Sequence, residues 1–248
     1  MNPNSSPAEL TTGATDAVLA VECVLISVWL WRTPISSRWR ATLWCWVFGL
    51  LAFSSLLGAV AHGLELPYTT RGALWKPLYL SLGILVALFL VGAVYDWRGR
   101  EAAGRLVPWA IGAGAAFFAL TQLTGGSFIV FFAYEAPALT CALTIYVLLA
   151  AKRRLAGAGV VAAAIVLNLA AGGVQASSAS ATIIFPIDHN GLFHLVQMAG
   201  AATLGLGVWL GLRPESRRLC LEPDGAPNAS QPMRSEADPT SVAPGARD

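Results

Sequence analysis

Seven long apolar segments constrain the fold of this 248-residue chain more than any other feature of its sequence. A helix needs about 20 apolar residues to cross the hydrocarbon core of a membrane, because each residue adds about 1.5 Å to its length. Hydrophobic residues make up 56% of the chain and charged residues only 12%, whereas soluble domains average about 25% charged residues. The segments lie at about 15–32, 42–65, 76–95, 106–123, 128–150, 156–175 and 190–212. The sequence therefore predicts an all-α membrane protein, a bundle of seven transmembrane helices.

The two ends of the chain differ from the apolar core in composition. Residues 1–14 are rich in Ser, Thr and Pro and lack the basic region of a cleavable signal peptide, so they are predicted to be a disordered tail before a retained first helix. Residues 15–212 form the predicted transmembrane domain. Residues 213–248 combine Pro, Ser and Gly with scattered charges, which predicts a second disordered tail.

The basic residues predict the orientation of the bundle, because cytoplasmic loops retain Lys and Arg. Twelve basic residues lie on one side of the predicted membrane, whereas the other side has only Arg71 and Lys76. The twelve are Arg32, Arg38, Arg40, Arg98, Arg100, Arg105, Lys152, Arg153, Arg154, Arg213, Arg217 and Arg218. We therefore expect an outside N-terminus and a cytoplasmic C-terminus in a multi-pass protein of the cell membrane. The net charge of +2 reflects these loops, so membrane lipids, and not nucleic acids, are the expected partners.

Polar residues within the apolar segments are the candidates for function, since an ionisable group in hydrocarbon costs about 2.5 to 3.5 kcal/mol. The predicted topology places them in the outer third of the membrane, and the inner halves of the segments contain almost nothing ionisable. The candidates are Glu22, His62, Glu65, Glu135, Asp188, His189, Asn190, His194 and Gln197. The sequence predicts one polar cluster that opens toward the non-cytoplasmic side.

Two polar stripes at helical spacing sharpen this prediction. They consist of Ser55, Gly58, His62 and Glu65 in the second segment and of Asn190, His194 and Gln197 in the seventh. Each set follows a three- and four-residue spacing, which places its members on one helix face. His189 lies five residues before His194, about 140° around an ideal helix. It joins the same site only if the first turn is distorted, which an N-cap at Asp188 or Asn190 permits.

Imidazole nitrogens and carboxylate oxygens are ligands that suit zinc, and a catalytic zinc typically keeps three protein ligands and a water. Such a water loses a proton near neutral pH and attacks a carbonyl group. The predicted zinc ligands are His62, His189 and His194. Glu65 or Asp188 would act as general base or orient a ligand. Glu22 and Glu135, together with Asn190 and Gln197, are predicted to line the cavity.

Simpler explanations compete for several of these residues. His62 and Glu135 can lie at the membrane interface, and Asp188 can be only a helix cap. A receptor or sensor would use the same outer pocket without chemistry. A transporter would need a polar route through the inner half as well, passing Cys141. A retinal protein is not expected, because Lys76 and the loop Lys152 leave no lysine in the middle of the seventh segment.

The seven helices, the histidine of the second segment and the histidines at the start of the seventh resemble the superfamily of intramembrane hydrolases that contains the alkaline ceramidases and the progestin and adipoQ receptors. The resemblance implies a zinc held by three histidines that activates water to cleave a lipid amide or ester. His62 would match the ligand of helix 2, and His194 the second histidine of an HxxxH pair whose first position is Asn190 here. The family serine falls at Gly58, which leaves Ser55 as the catalytic serine, and Glu65 would replace the family aspartate. The string DHNGLFHLVQ, residues 188–197, is also similar to that of a group of bacterial seven-helix proteins without a known activity.

Overall fold

Seven helices form the structure, as the sequence predicts. The computed structural model describes residues 2–34, 37–182 and 186–213, with the backbone only for Phe128. The helices are α1 (Pro7–Arg32), α2 (Arg38–Gly63), α3 (Tyr68–Arg98), α4 (Arg100–Leu123), α5 (Phe128–Ala151), α6 (Ala158–Gln175) and α7 (His189–Leu212). Each is long and apolar enough to cross a membrane. The chain is therefore a multi-pass membrane protein. The predicted tail at 213–248 lies outside the described residues after Arg213.

The first helix begins earlier than the sequence analysis placed it. Ser6 is its N-cap and accepts a hydrogen bond from the amide of Glu9, and Pro7 occupies the first helical position. Both are standard start signals, because the cap satisfies a free amide and proline has none to satisfy. Residues 7–14 are therefore helical and are not part of a disordered tail. The two extra turns place Asp16 well inside α1 instead of at its end.

Six of the helices form a closed ring, and α4 lies outside it. α1 packs against α2 and α7, and the ring continues through α3, α5 and α6 back to α7. α4 packs mainly against α3. In its most apolar stretch of 18 residues only 22% of the residues are buried, compared with 50% in the corresponding stretch of α3. Because the helices alternate in direction, α1, α3, α5 and α7 begin at the same end of the bundle. We call this the N-terminal end.

Glycines bring α1 and α2 into close contact at the N-terminal end. A Cβ atom on Gly13 would lie 2.8 Å from the backbone nitrogen of Gly63, and one on Gly58 would lie 2.5 Å from an oxygen of Asp16. Real Cβ atoms essentially never show such distances. Gly13 faces backbone atoms and so requires glycine for the observed packing, whereas a side chain at position 58 would displace the Asp16 carboxyl group. Gly58 in particular provides the space into which the Asp16 side chain fits.

The connection between α6 and α7 and the start of the chain cover parts of this end. Ala181–Thr182 pairs with Pro186–Ile187 as a two-stranded antiparallel sheet that contacts α1. Residues before α1 run beside the end of α2, where Pro3 forms an isolated bridge with Leu64. The amide of Glu65 donates to the carbonyl of Asn2 at 3.0 Å. The N-terminal segment is thereby fixed to the α2–α3 connection.

A buried ion pair lies at the opposite end of the bundle. Arg40 donates from Nε to Oδ1 of Asp96 at 2.6 Å and from Nη2 to Oδ2 at 2.8 Å. The hydroxyl group of Tyr146 donates to the same Oδ2 at 2.8 Å. The two charged side chains are 4% and 2% exposed. The sequence predicted almost no ionisable residue in this half of the helices, and that prediction was wrong. The predicted segments left Arg40 and Asp96 just outside their ends, whereas α2 begins at Arg38 and α3 continues to Arg98, so both charges lie within helices.

Candidate functional site

A cavity of about 210 Å³ lies inside the ring at the N-terminal end. Six helices contribute to its lining, and α4 does not. Its polar wall includes Asp16 from α1, Ser55 and His62 from α2, and Asn190 and His194 from α7. Its apolar wall is largely aromatic and includes Trp75, Tyr79, Phe131 and Phe193. We call this space the site cavity.

His194 is buried, and both of its ring nitrogens face residues of α1. Nδ1 lies 3.1 Å from the hydroxyl oxygen of Thr15, and Nε2 lies 3.3 Å from Oδ1 of Asp16. The Thr15 hydroxyl donates its single hydrogen to the carbonyl of Thr12 at 2.9 Å. Its oxygen can then accept from Nδ1–H of His194, and the neutral tautomer consistent with this network carries its proton on Nδ1. Nε2 then presents a lone pair, or in the imidazolium form a second N–H, toward Asp16.

His62 lies on the other side of the site cavity, where contacts with α1 and α3 hold its side chain. Its Nδ1 lies 2.7 Å from Oε2 of Glu9 in the first turn of α1. Its ring packs edge-on against Trp75, with 5.5 Å between ring centroids. The His62 carbonyl accepts a hydrogen bond from the side-chain amide of Asn4 at 3.0 Å. The early start of α1 thus supplies the partner that orients this imidazole.

Asp188 is the N-cap of α7 and directly precedes the first helical residues, beside the site cavity. Its carboxyl group accepts hydrogen bonds from the amide of Gly191 at 2.9 Å and the hydroxyl of Thr12 at 3.0 Å. Burial by itself raises the pKa of Asp188. These hydrogen bonds, one from Asn190 and the nearby His189 outweigh burial, so the pKa lies below the ordinary value of 3.8. The cap role that the sequence allowed for Asp188 is the one its contacts describe.

The structure brings five of the predicted site residues to the site cavity. These are Ser55, His62, Asn190, His194 and Gln197. They come from the two polar stripes, so the facing of α2 and α7 that the spacing predicts is observed across this cavity.

Four predicted site residues lie elsewhere. Glu65 follows the end of α2 and is exposed, because the chain after Gly63 is extended and pairs with the N-terminal segment. Asp188, His189 and Glu22 are not among the residues that line the site cavity. An oxygen of Glu22 is buried without a hydrogen-bond partner among the described residues.

A second cavity of about 50 Å³ adjoins the first on its deeper side. The two share Leu51, Leu82, Phe131 and Gln197 as lining residues. The second cavity is otherwise largely apolar, but Glu135 and Asn168 also line it. Glu135, predicted as a pocket residue, therefore lies one compartment below the histidines.

Within the described residues, neither of the two cavities extends past Cys141. Cys141 is exposed on the outer surface of α5 and lines neither cavity. Phe48, Phe89 and Leu139 line the second cavity and belong to the buried core. The route that a transporter would need is thus occupied by packed apolar side chains in this conformation.

The structure brings only two of the three predicted zinc ligands, His62 and His194, to the site cavity. Within residues 2–34, 37–182 and 186–213, no three His, Cys, Asp or Glu side chains are grouped so that they could hold one metal ion. His62 and His194 share the site cavity, but His194 already contacts Thr15 and Asp16 through its two nitrogens. Zinc binding therefore stays a prediction.

Sequence reasoning missed the α1 side of the site. Asp16 is 4% exposed, lines the site cavity and contacts His194. An acidic residue in an apolar helix is itself a signal of function. The predicted start of the first helix at residue 15 hides this signal, because it places Asp16 at the end of the helix instead of inside it. Thr15, Glu9 and Gln175 had no comparable signal, since their roles depend on which helices are neighbours.

Comparison with known families identifies the chain at the level of its family. A model described as a family of unknown function, DUF6962, matches residues 11–212, which includes all seven helices from the second turn of α1. The chain belongs to this family. No curated protein and no solved structure matches it. Family membership extends over both cavities and brings no activity with it.

Proposed function

We propose that this protein of the cell membrane binds a small ligand in the site cavity, as a receptor or sensor does. The observation that carries the proposal is the cavity itself, a concave space enclosed by six helices and lined by aromatic and a few polar side chains. Ligand sites in proteins have this composition. The volume of about 210 Å³ is below the range of about 300 to 1,000 Å³ typical of drug-sized ligands, so the ligand is small.

The direction of access follows from the predicted orientation. The basic residues predict that the N-terminal end faces the non-cytoplasmic side. A ligand would therefore enter from outside the cell or from the outer leaflet. Tight packing below the second cavity favours binding over passage through the bundle.

A cavity-filling variant tests the proposal. Purified full-length protein in detergent is screened by thermal denaturation against a library of small polar and amphipathic molecules. Ser55 is 5% exposed and lines the site cavity, so Ser55→Leu should remove the stabilisation that a hit gives to the unaltered protein. Thr140→Leu is the control, because Thr140 is exposed on α5 and lines neither cavity. Hits that stabilise Ser55→Leu and the unaltered protein equally would contradict binding in this cavity.

We propose zinc-dependent hydrolysis of a lipid amide or ester as the second candidate. The observation that favours it is the presence of His62, His194 and Asp16 around one cavity, with Ser55 beside them. Bound zinc would supply an activated water at neutral pH. Protein purified without chelators should then contain about one zinc per chain, and His62→Ala and His194→Ala should each lose it. Unaltered protein without zinc would remove this candidate and leave ligand binding in place.

A further inference from the structure

Asp16 is a buried acid whose acceptor capacity the protein hardly uses. The side chain is 4% exposed and lines the site cavity. Among the described residues its carboxyl group has one side-chain neighbour, Nε2 of His194 at 3.3 Å, and in the neutral tautomer described above this nitrogen presents a lone pair and donates no hydrogen bond. A carboxylate accepts at about four positions. Leaving these positions empty in a buried site is costly, so Asp16 requires donors from something inside the cavity.

Two further acceptor groups along the cavities lack partners among the described residues. Oε1 of Gln175 is buried without a hydrogen-bond partner among the described residues, while its Nε2 donates to Asn190 at 2.5 Å. Glu135, in the second cavity, forms no hydrogen bond or ion pair with the part of the chain that the structure describes. Together with Asp16, these buried acceptors call for hydrogen-bond donors.

Several donors of the lining are already used by the protein itself. The hydroxyl group of Tyr79 donates to the carbonyl of Gly126 at 2.7 Å, and the amide of Asn190 donates to Asp188 at 3.1 Å. The hydroxyl group of Ser54 donates to the carbonyl of Leu51, three residues earlier in α2, at 3.0 Å. Neither cavity has a lysine or arginine among its described lining residues. Ser55 and Gln197 keep free donors on the lining, but both are neutral, so a negatively charged ligand would meet no lysine or arginine among the described lining residues.

We propose that the ligand is a small organic ammonium ion, with its ammonium group at Asp16 and its apolar part directed past Gln197 into the second cavity. An ammonium group has three donors and no acceptor, which matches the unmet acceptors. The aromatic rings of Trp75 and Phe193 add faces to which a cation is attracted. This inference rests on the proposed ligand-binding function and names the chemical class of its ligand.

Three probes of equal chain length test the charge preference. n-Butylammonium, 1-butanol and butyrate are titrated by calorimetry into the detergent-solubilised full chain after treatment with EDTA. We expect the Kd for butylammonium to be at least about tenfold lower than that for butanol, which corresponds to about 1.4 kcal/mol, and no binding of butyrate. Asp16→Asn should reduce the preference for butylammonium over butanol to less than about twofold, a loss of most of the tenfold step.

Glu22→Gln is the matched control, because Glu22 is a carboxyl residue of the same helix that lines neither cavity. It should retain the preference for butylammonium. Equal affinities for butylammonium and butanol, or tighter binding of butyrate, would overturn the ammonium assignment while leaving ligand binding intact. Zinc alone, added to the same EDTA-treated protein, separates an organic cation from a metal ion. Zinc binding that Asp16→Asn abolishes, without any butylammonium binding, would also overturn the assignment.

Discussion

Removing the Asp96 carboxyl group should be among the most destabilising single changes in this protein. Asp96→Ala deletes the acceptor of two hydrogen bonds from Arg40 and one from Tyr146. Arg40 is 4% exposed and would keep its charge in a buried site without its partner. Breaking a buried pair in this way typically costs about 3 to 5 kcal/mol. Nη1 of Arg40 already lacks a partner among the described residues, which places the expected loss toward the upper end.

Companion variants separate the ion pair from general damage to packing. Tyr146→Phe removes one hydrogen bond to a charged group and should cost about 1.5 to 3 kcal/mol. The double variant Arg40→Met with Asp96→Leu replaces both charges by apolar groups, so its loss should be well below the sum of the two single losses. Glu101→Ala is the exposed control. Its pair with Arg105 spans one helical turn at the surface, and such pairs contribute only about 0.3 to 0.5 kcal/mol.

The measurement is reversible unfolding of each purified variant in mixed detergent micelles, followed by circular dichroism. A loss of less than about 1 kcal/mol for Asp96→Ala, far below the expected range for a broken buried pair, would refute the assignment of this cluster as a fixed link between α2, α3 and α5. Strict additivity in the double variant would refute the coupling.

Two further predictions concern the N-terminal end. Gly58→Ala places a methyl group 2.5 Å from Asp16 and should lower the thermal midpoint and weaken binding of any ligand. Gly49→Ala on the same helix meets no atom within 4 Å and should match or exceed the unaltered stability. Equal midpoints for the two variants would contradict the tight fit of the Asp16 side chain against Gly58. Asp188→Ala removes the cap of α7 and should cost about 0.5 to 2 kcal/mol by denaturant titration. Because folding lowers the pKa of Asp188, the stabilisation by its carboxylate is complete above the unfolded value of 3.8 and is lost as pH falls through the folded value. If the stability difference between the unaltered protein and Asp188→Asn instead grew below that pH, the direction of this pKa shift would be wrong.

Helical spacing predicted some residues of the candidate site and could not predict others. The spacing of Ser55 and His62, and of Asn190, His194 and Gln197, correctly indicated which face of each helix points inward. Periodicity says nothing about which helix supplies the partners of these faces. Asp16, Thr15 and Glu9 come from α1, which packs against both α2 and α7, and only that neighbourhood makes them part of the site.

The sequence by itself determined that the chain has seven helices long and apolar enough to cross a membrane, and which faces of α2 and α7 carry polar residues, because hydropathy and helical period are local properties of the chain. The tertiary structure decided what those groups do with one another. It placed His189 and Glu65 outside the site cavity, paired His194 with Asp16, and joined Arg40 to Asp96 across residues far apart in the chain. Contacts of this kind depend on helix order around the ring and on close approach at small residues, and neither is encoded in the pattern of any single segment.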